Sequence, residues 1–76
     1  MKLITLTTDT HFGAQLRQER IKQSLTQVQV AEIMGCRSDN ISHFEKGDMT
    51  FGNGSIQTVF KYAKALGYKE VKFKLI

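Results

Sequence analysis

The stretch from Leu25 to Gly47, LTQVQVAEIMGCRSDNISHFEKG, constrains this chain more than any other. Thr26 offers a hydroxyl that can cap a helix, and good helix formers follow it. Val30, Ala31 and Met34 share one face of that helix. Gly35 ends it, where a left-handed residue needs no Cβ. A second helix is predicted from about Ser38 to Lys46, and Gly47 closes it in the same way. Ile41 and Phe44 form its inner face. At about 100° per residue, Asp39, Ser42, His43 and Lys46 point the other way. One face is apolar, and the opposite face carries short polar groups that donate and accept hydrogen bonds. Only Gly35, Cys36 and Arg37 separate the two helices.

Two short helices joined by such a turn describe a helix-turn-helix, whose second helix enters the major groove of DNA. The residues Leu25-Thr26-Gln27, Ala31, Gly35, Ile41-Ser42 and Glu45-Lys46-Gly47 resemble the Cro/C1-type (xenobiotic-response-element) helix-turn-helix family, whose pattern reads roughly LTQxxLAxxLGxSxxxISxxExG. The resemblance runs from about residue 10 to 67. Val28 and Ile33 depart from it, standing where charged residues are usual. Arg37 stands where a small capping Ser or Thr is usual, which leaves the start of the second helix open.

The chain has 76 residues, enough for one small domain with a marginal core. With 41% hydrophobic and 24% charged residues the composition is globular. The net charge of +4 suits a polyanion partner, and equally suits ordinary solubility. A single Cys excludes an internal disulfide framework and points to a reducing compartment; the resemblance implies the cytoplasm of a bacterial or phage-infected cell, with the protein on the nucleoid. The apolar start, MKLITLT, is too short and too rich in threonine for a signal peptide or membrane span, so no membrane partner is expected.

Around the motif, residues 2–7 read as a strand rich in β-branched types. Thr8 is the best cap for a first helix, with Asp9 in its first turn and an end near Gln23. Phe12 and Leu16 make its inner stripe, which Arg20 continues. Gly13 inside that helix costs about 1 kcal/mol against Ala, and close helix packing would account for it. After a loop at 48–55, Ser55 should cap a last helix ended by Gly67. Ile56, Val59, Phe60, Ala63 and Leu66 should face the core there. In residues 70–76, Val71, Phe73 and Leu75 alternate with Lys72 and Lys74 as a half-buried strand, which cannot stand alone with its apolar face in water. Its partner is either the tail of a second chain or the N-terminal strand of the same chain, paired as a hairpin. The expected fold is mainly α: a lambda-repressor-like helix-turn-helix bundle of four or five helices with short N- and C-terminal β-strands, a single domain over 1–76 with the motif at about 25–47.

The position of Arg20 on an apolar face calls for a partner, and Glu45 on the inward side of the second motif helix is the natural one. The resemblance implies the same structural pair; the rival is that Arg20 reaches out to phosphate. The terminal strand, with ISxFE and the TxFK spacing before it, is similar to HipB-type antitoxins, which implies a homodimer joined through Val71, Phe73 and Leu75. Such a dimer would present its recognition helices to one DNA face about 34 Å apart, so its double-stranded target would be an inverted repeat. Ser38, Asp39, Asn40, Ser42 and His43 are the candidate base readers. Asp39 as a first-turn charge, His43 as a solvated or phosphate-facing group and Asn40 as a phosphate contact are their rivals. Thr26, Gln27, Arg37 and Lys46 are the candidate phosphate contacts.

These features imply a transcriptional regulator, by default a repressor of its own operon, of phage type or of antitoxin type with a toxin as partner. The competing reading is a toxin-neutralising protein-interaction module, which an acidic Asp39 in the reading face favours. No catalytic constellation, metal-ligand spacing or phosphate-binding glycine loop is visible, so no enzyme activity, metal or cofactor is expected. Cys36 reads as a small, semi-buried hydrophobe.

Overall fold

A computed structural model of the chain describes residues 2–47 and 56–75. The order is β1 (Leu3–Thr7), α1 (Phe12–Lys22), α2 (Gln27–Met34), α3 (Ser38–Glu45), α4 (Ile56–Ala65) and β2 (Glu70–Lys74). The loop expected at 48–55, with the Ser55 cap, lies outside the described residues, as does Ile76.

In β1 the side chains alternate, with Ile4 and Leu6 buried while Leu3 and Thr5 face outward. The expected cap at Thr8 is not used. α1 starts at Phe12, and His11 caps it by accepting the Ala14 amide at Nδ1. The threonine segment is instead folded back by Gln15. Its amide donates to the Thr7 and Thr10 carbonyls, and its Oε1 accepts the Thr7 amide. Asp9 therefore stands outside the first turn, where it accepts from the Thr7 hydroxyl.

Ser24 takes a left-handed conformation at the end of α1, with φ of 60°. Its own amide bonds Ile21 O, and the next amide, Leu25 N, reaches back to Arg20 O. This is glycine-type helix termination carried by a serine. α2 opens on a complete capping box, in which Thr26 Oγ1 accepts the Gln29 amide and Gln29 Oε1 accepts the Thr26 amide. Gly35 ends it in the left-handed region.

α3 begins at Ser38 with Arg37 in the cap position and no side-chain cap bond. Gly13 lets α1 lie directly on the end of α3, since a Cβ there would stand 1.9 Å from the Phe44 carbonyl oxygen. The core gathers Ile4, Leu6, Leu16, Val30, Ala31, Ile41, Phe44, Val59, Tyr62, Ala63 and Leu66. α4 is rotated from its expected setting. Ile56 and Phe60 are nearly half exposed, and Tyr62 takes the innermost place. Phe12 is only partly buried and packs on the ring of Phe73, 5.1 Å between centroids.

The two strands pair within the chain, in parallel, with Ile4 opposite Val71 and Leu6 opposite Phe73. Of the two candidate partners, the tail takes the N-terminal strand of the same chain, in parallel and not as a hairpin. A parallel pair needs a crossover, and α1 to α4 lie within it. Val71 and Phe73 are half-buried against the core, whereas Leu75, beyond the strand, is 85% exposed.

Candidate nucleic-acid interface

The site is built around one carboxylate. Glu45, at the end of α3, is 4% exposed. Arg20 of α1 donates to it through Nε at 2.7 Å and Nη2 at 3.1 Å. Gln27, the first residue of α2, donates at 3.0 Å, and the Tyr62 hydroxyl of α4 donates to Oε2. The remaining Arg20 nitrogen, Nη1, donates to the Leu25 carbonyl at 2.7 Å. One carboxylate thus joins the four helices of the described residues and fixes the pitch of α3 on its supports. Arg20 is held inward by these bonds, not extended to solvent.

Burial alone would raise the Glu45 carboxyl above its ordinary range. Hydrogen bonds from Arg20, Tyr62 and Gln27 outweigh it and hold the group below that range. The same bond to Glu45 pushes Arg20 up. Burial, followed by the bond to Glu45, moves Tyr62 far above the usual phenol range. Among the described residues no buried side-chain nitrogen or oxygen lacks a hydrogen-bond partner.

Supported in this way, α3 buries Ile41, Phe44 and Glu45. Asp39 and Lys46 are exposed on the opposite face, while Ser38, Asn40, Ser42 and His43 are half-exposed. These five short or planar side chains, Ser38, Asp39, Asn40, Ser42 and His43, form a continuous polar surface along one short helix. Asp39 lies 3.4 Å from Arg37, and both side chains are largely exposed. Of the proposed phosphate contacts, Thr26 accepts the Gln29 amide with one of its two lone pairs, and its O–H remains a donor. Gln27 braces Glu45 while remaining part-exposed. Arg37 and Lys46 stand at the two ends of α3.

Tyr62 is the residue that sequence reasoning missed. The stripe Val59, Tyr62, Ala63, Leu66 fits helical spacing as well as the one chosen, and a buried hydroxyl signals a polar partner. Gln29, in the capping box, also had a readable signal: it stands three residues after Thr26. The cap role of His11 and the left-handed Ser24 had none. Cys36 is half-buried against the core, and burial pushes its thiol up, away from the reactive thiolate. Among the described residues there is no His, Cys, Asp and Glu group able to hold a metal ion, and no helix is long and apolar enough to cross a membrane.

A family profile described as "Helix-turn-helix domain" matches residues 11–72. The chain therefore belongs to the helix-turn-helix family, of the Cro/C1 type that the motif resembles. It is also 46% identical over 52 residues to a Mycobacterium tuberculosis (strain ATCC 25618 / H37Rv) protein named "Putative antitoxin HigA2", a match covering 68% of this chain and 50% of that protein. The chain spans about half the length of the curated relative it matches. No solved structure matches it.

Proposed function

We propose that the protein is a sequence-specific DNA-binding regulator of transcription, acting as a dimeric repressor on an inverted repeat in its own operon, in the manner of an antitoxin-type or phage-type regulator. The observation that carries this reading is the braced α3. A polar, half-exposed face is held by Glu45 to α1, α2 and α4, so it can enter a groove without changing its setting. Ser38, Asp39, Asn40, Ser42 and His43 read base edges, and Thr26, Gln27, Arg37 and Lys46 hold phosphates. Similarity to a protein named as an antitoxin supports a toxin as a second partner.

The dimer forms through the outer edge of β2 and the exposed Leu75, with Val71 and Phe73 fixing the strand from within. A two-stranded sheet leaves both outer edges unpaired, and an edge of this kind accepts a strand from another chain. The competing reading, a toxin-neutralising module that does not bind DNA, is favoured by the exposed carboxylate of Asp39 on the reading face.

Binding to DNA from the protein's own upstream region, at two salt concentrations, separates the two. A footprint over an inverted repeat, a steep salt dependence and loss of sequence preference in the double variant Ser38→Ala, Asn40→Ala support the regulator. Equal binding to that DNA and to random DNA refutes autoregulation. No DNA binding at all, together with capture of a toxin, establishes the module.

A further inference from the structure

Arg17 belongs to no site described above, yet it stands beside the central carboxylate. Its Nε lies 3.8 Å from Glu45 Oε1, and its side chain is 48% exposed. An ionised carboxylate has two oxygens with about four lone-pair positions. In Glu45 these are filled: Oε1 accepts from Arg20 and Gln27, and Oε2 accepts from Arg20 and Tyr62. Arg17 accordingly makes no hydrogen bond to Glu45, and its donors have no acceptor among the described residues. Lys22 is matched by Glu19 and Arg37 by Asp39, whereas the carboxylate beside Arg17 is already occupied. The Glu45 charge is already balanced by Arg20, so the charge of Arg17 is surplus.

Its position gives that surplus a direction. Arg17 and Gln27 converge on the same oxygen, Oε1, and Gln27 opens α2. Lys46 follows Glu45 directly at the end of α3. Arg17 and Gln27 therefore stand together where α1, the start of α2 and the end of α3 meet. From this geometry we infer that Arg17 is a DNA-backbone contact, its fork of N–H donors engaging a phosphate that flanks the groove occupied by α3. With the lone pairs of Glu45 already filled, the donors of the Arg17 guanidinium stay available for the ligand. The inference rests on the DNA-binding reading above and adds a contact to it.

The test uses the full chain and a random-sequence duplex, since a backbone contact carries no sequence information. Affinity is measured against salt concentration for wild type, Arg17→Gln and Arg17→Lys, with the thermal midpoint of each. The expected result is weaker binding by Arg17→Gln, a slope of log K against log salt reduced by about one, and an unchanged midpoint. Arg17→Lys should restore the slope. An unchanged slope in Arg17→Gln overturns the inference while leaving DNA binding intact. A loss of affinity that only follows a fall in midpoint also overturns it, since Arg17 would then support the fold alone. Absence of salt-dependent binding by wild type overturns this inference and the DNA-binding reading together.

Discussion

The Tyr62 hydroxyl donates to the Glu45 carboxylate, so the last helix of the bundle grips the recognition helix through a charge-assisted hydrogen bond inside the core. Such bonds contribute about 1.5–3 kcal/mol. Tyr62→Phe keeps the ring, which also packs on Phe44 at 5.3 Å, and removes only the donor. It is expected to destabilise the fold by about 2 kcal/mol and lower the melting temperature by roughly 10 °C. Calorimetry measures this directly. A variant as stable as wild type would show that the hydroxyl contributes nothing.

Acid should act through the same carboxylate. Burial pushes Glu45 up, but its three hydrogen-bonding partners together hold it below its ordinary value of 4.5. The unfolded chain therefore binds a proton more readily than the folded one. The stabilisation is fully present above pH 4.5 and is lost as the pH falls through the folded value. Glu19 adds in the same sense, held down first by the Tyr68 hydroxyl. Denaturant titrations between neutral and acid pH should show stability falling on acidification. In Glu45→Gln the fall should be shallower. That variant should also be less stable at neutral pH by about 3–5 kcal/mol, because Arg20 remains buried without its counter-charge. Parallel pH profiles for the two proteins would contradict the assignment.

Gly13 should tolerate no side chain. A Cβ at this position meets the backbone of Phe44, not a flexible side chain, so only a shift of α1 from α3 relieves the contact. Gly13→Ala gains helix propensity of about 1 kcal/mol yet should still lose about 2 kcal/mol net, because overpacking against a rigid backbone outweighs it. A stabilised variant, read by denaturant midpoint, would refute the close approach.

The opposite sign is expected at Ser24. Its exposed side chain sits on a left-handed backbone, a conformation costing about 1–2 kcal/mol for residues other than glycine. Ser24→Gly relieves that cost and loses some of it back to the freedom of the unfolded chain. The net expectation is stabilisation by about 0.5 kcal/mol. Thermal unfolding decides it, and a lowered midpoint would mean that the serine side chain supports the turn.

Legibility in the sequence followed the strength of local signals. Thr26, Gly35 and Gly47 punctuate the two motif helices, and the apolar spacing between them leaves one consistent rotation, so α2 and α3 lie where the residues place them. In α4 two stripes compete. Ile56 and Phe60 are more apolar than Tyr62, and hydropathy favours them, but the hydrogen bond to Glu45 turns Tyr62 inward. That preference depends on a residue in another helix and cannot be read locally. The start of α1 was obscured in a similar way, since Gln15 holds the threonine segment in a turn and His11 replaces the expected hydroxyl cap. Alternation in the tail announced a strand, but the direction of its pairing is set by the path of the whole chain.

The parallel pairing of β1 with β2 bears on how the molecule is assembled. Leu3 pairs beside Glu70 with the entire helical bundle between them in sequence. Closing so wide a loop costs entropy that only a nearly finished structure can offset. The helix-turn-helix, built from near neighbours, can form early. Ile4 and Leu6, the first apolar residues to leave the ribosome among those in the core, must wait until Val71 and Phe73 have been synthesised before their sheet can close.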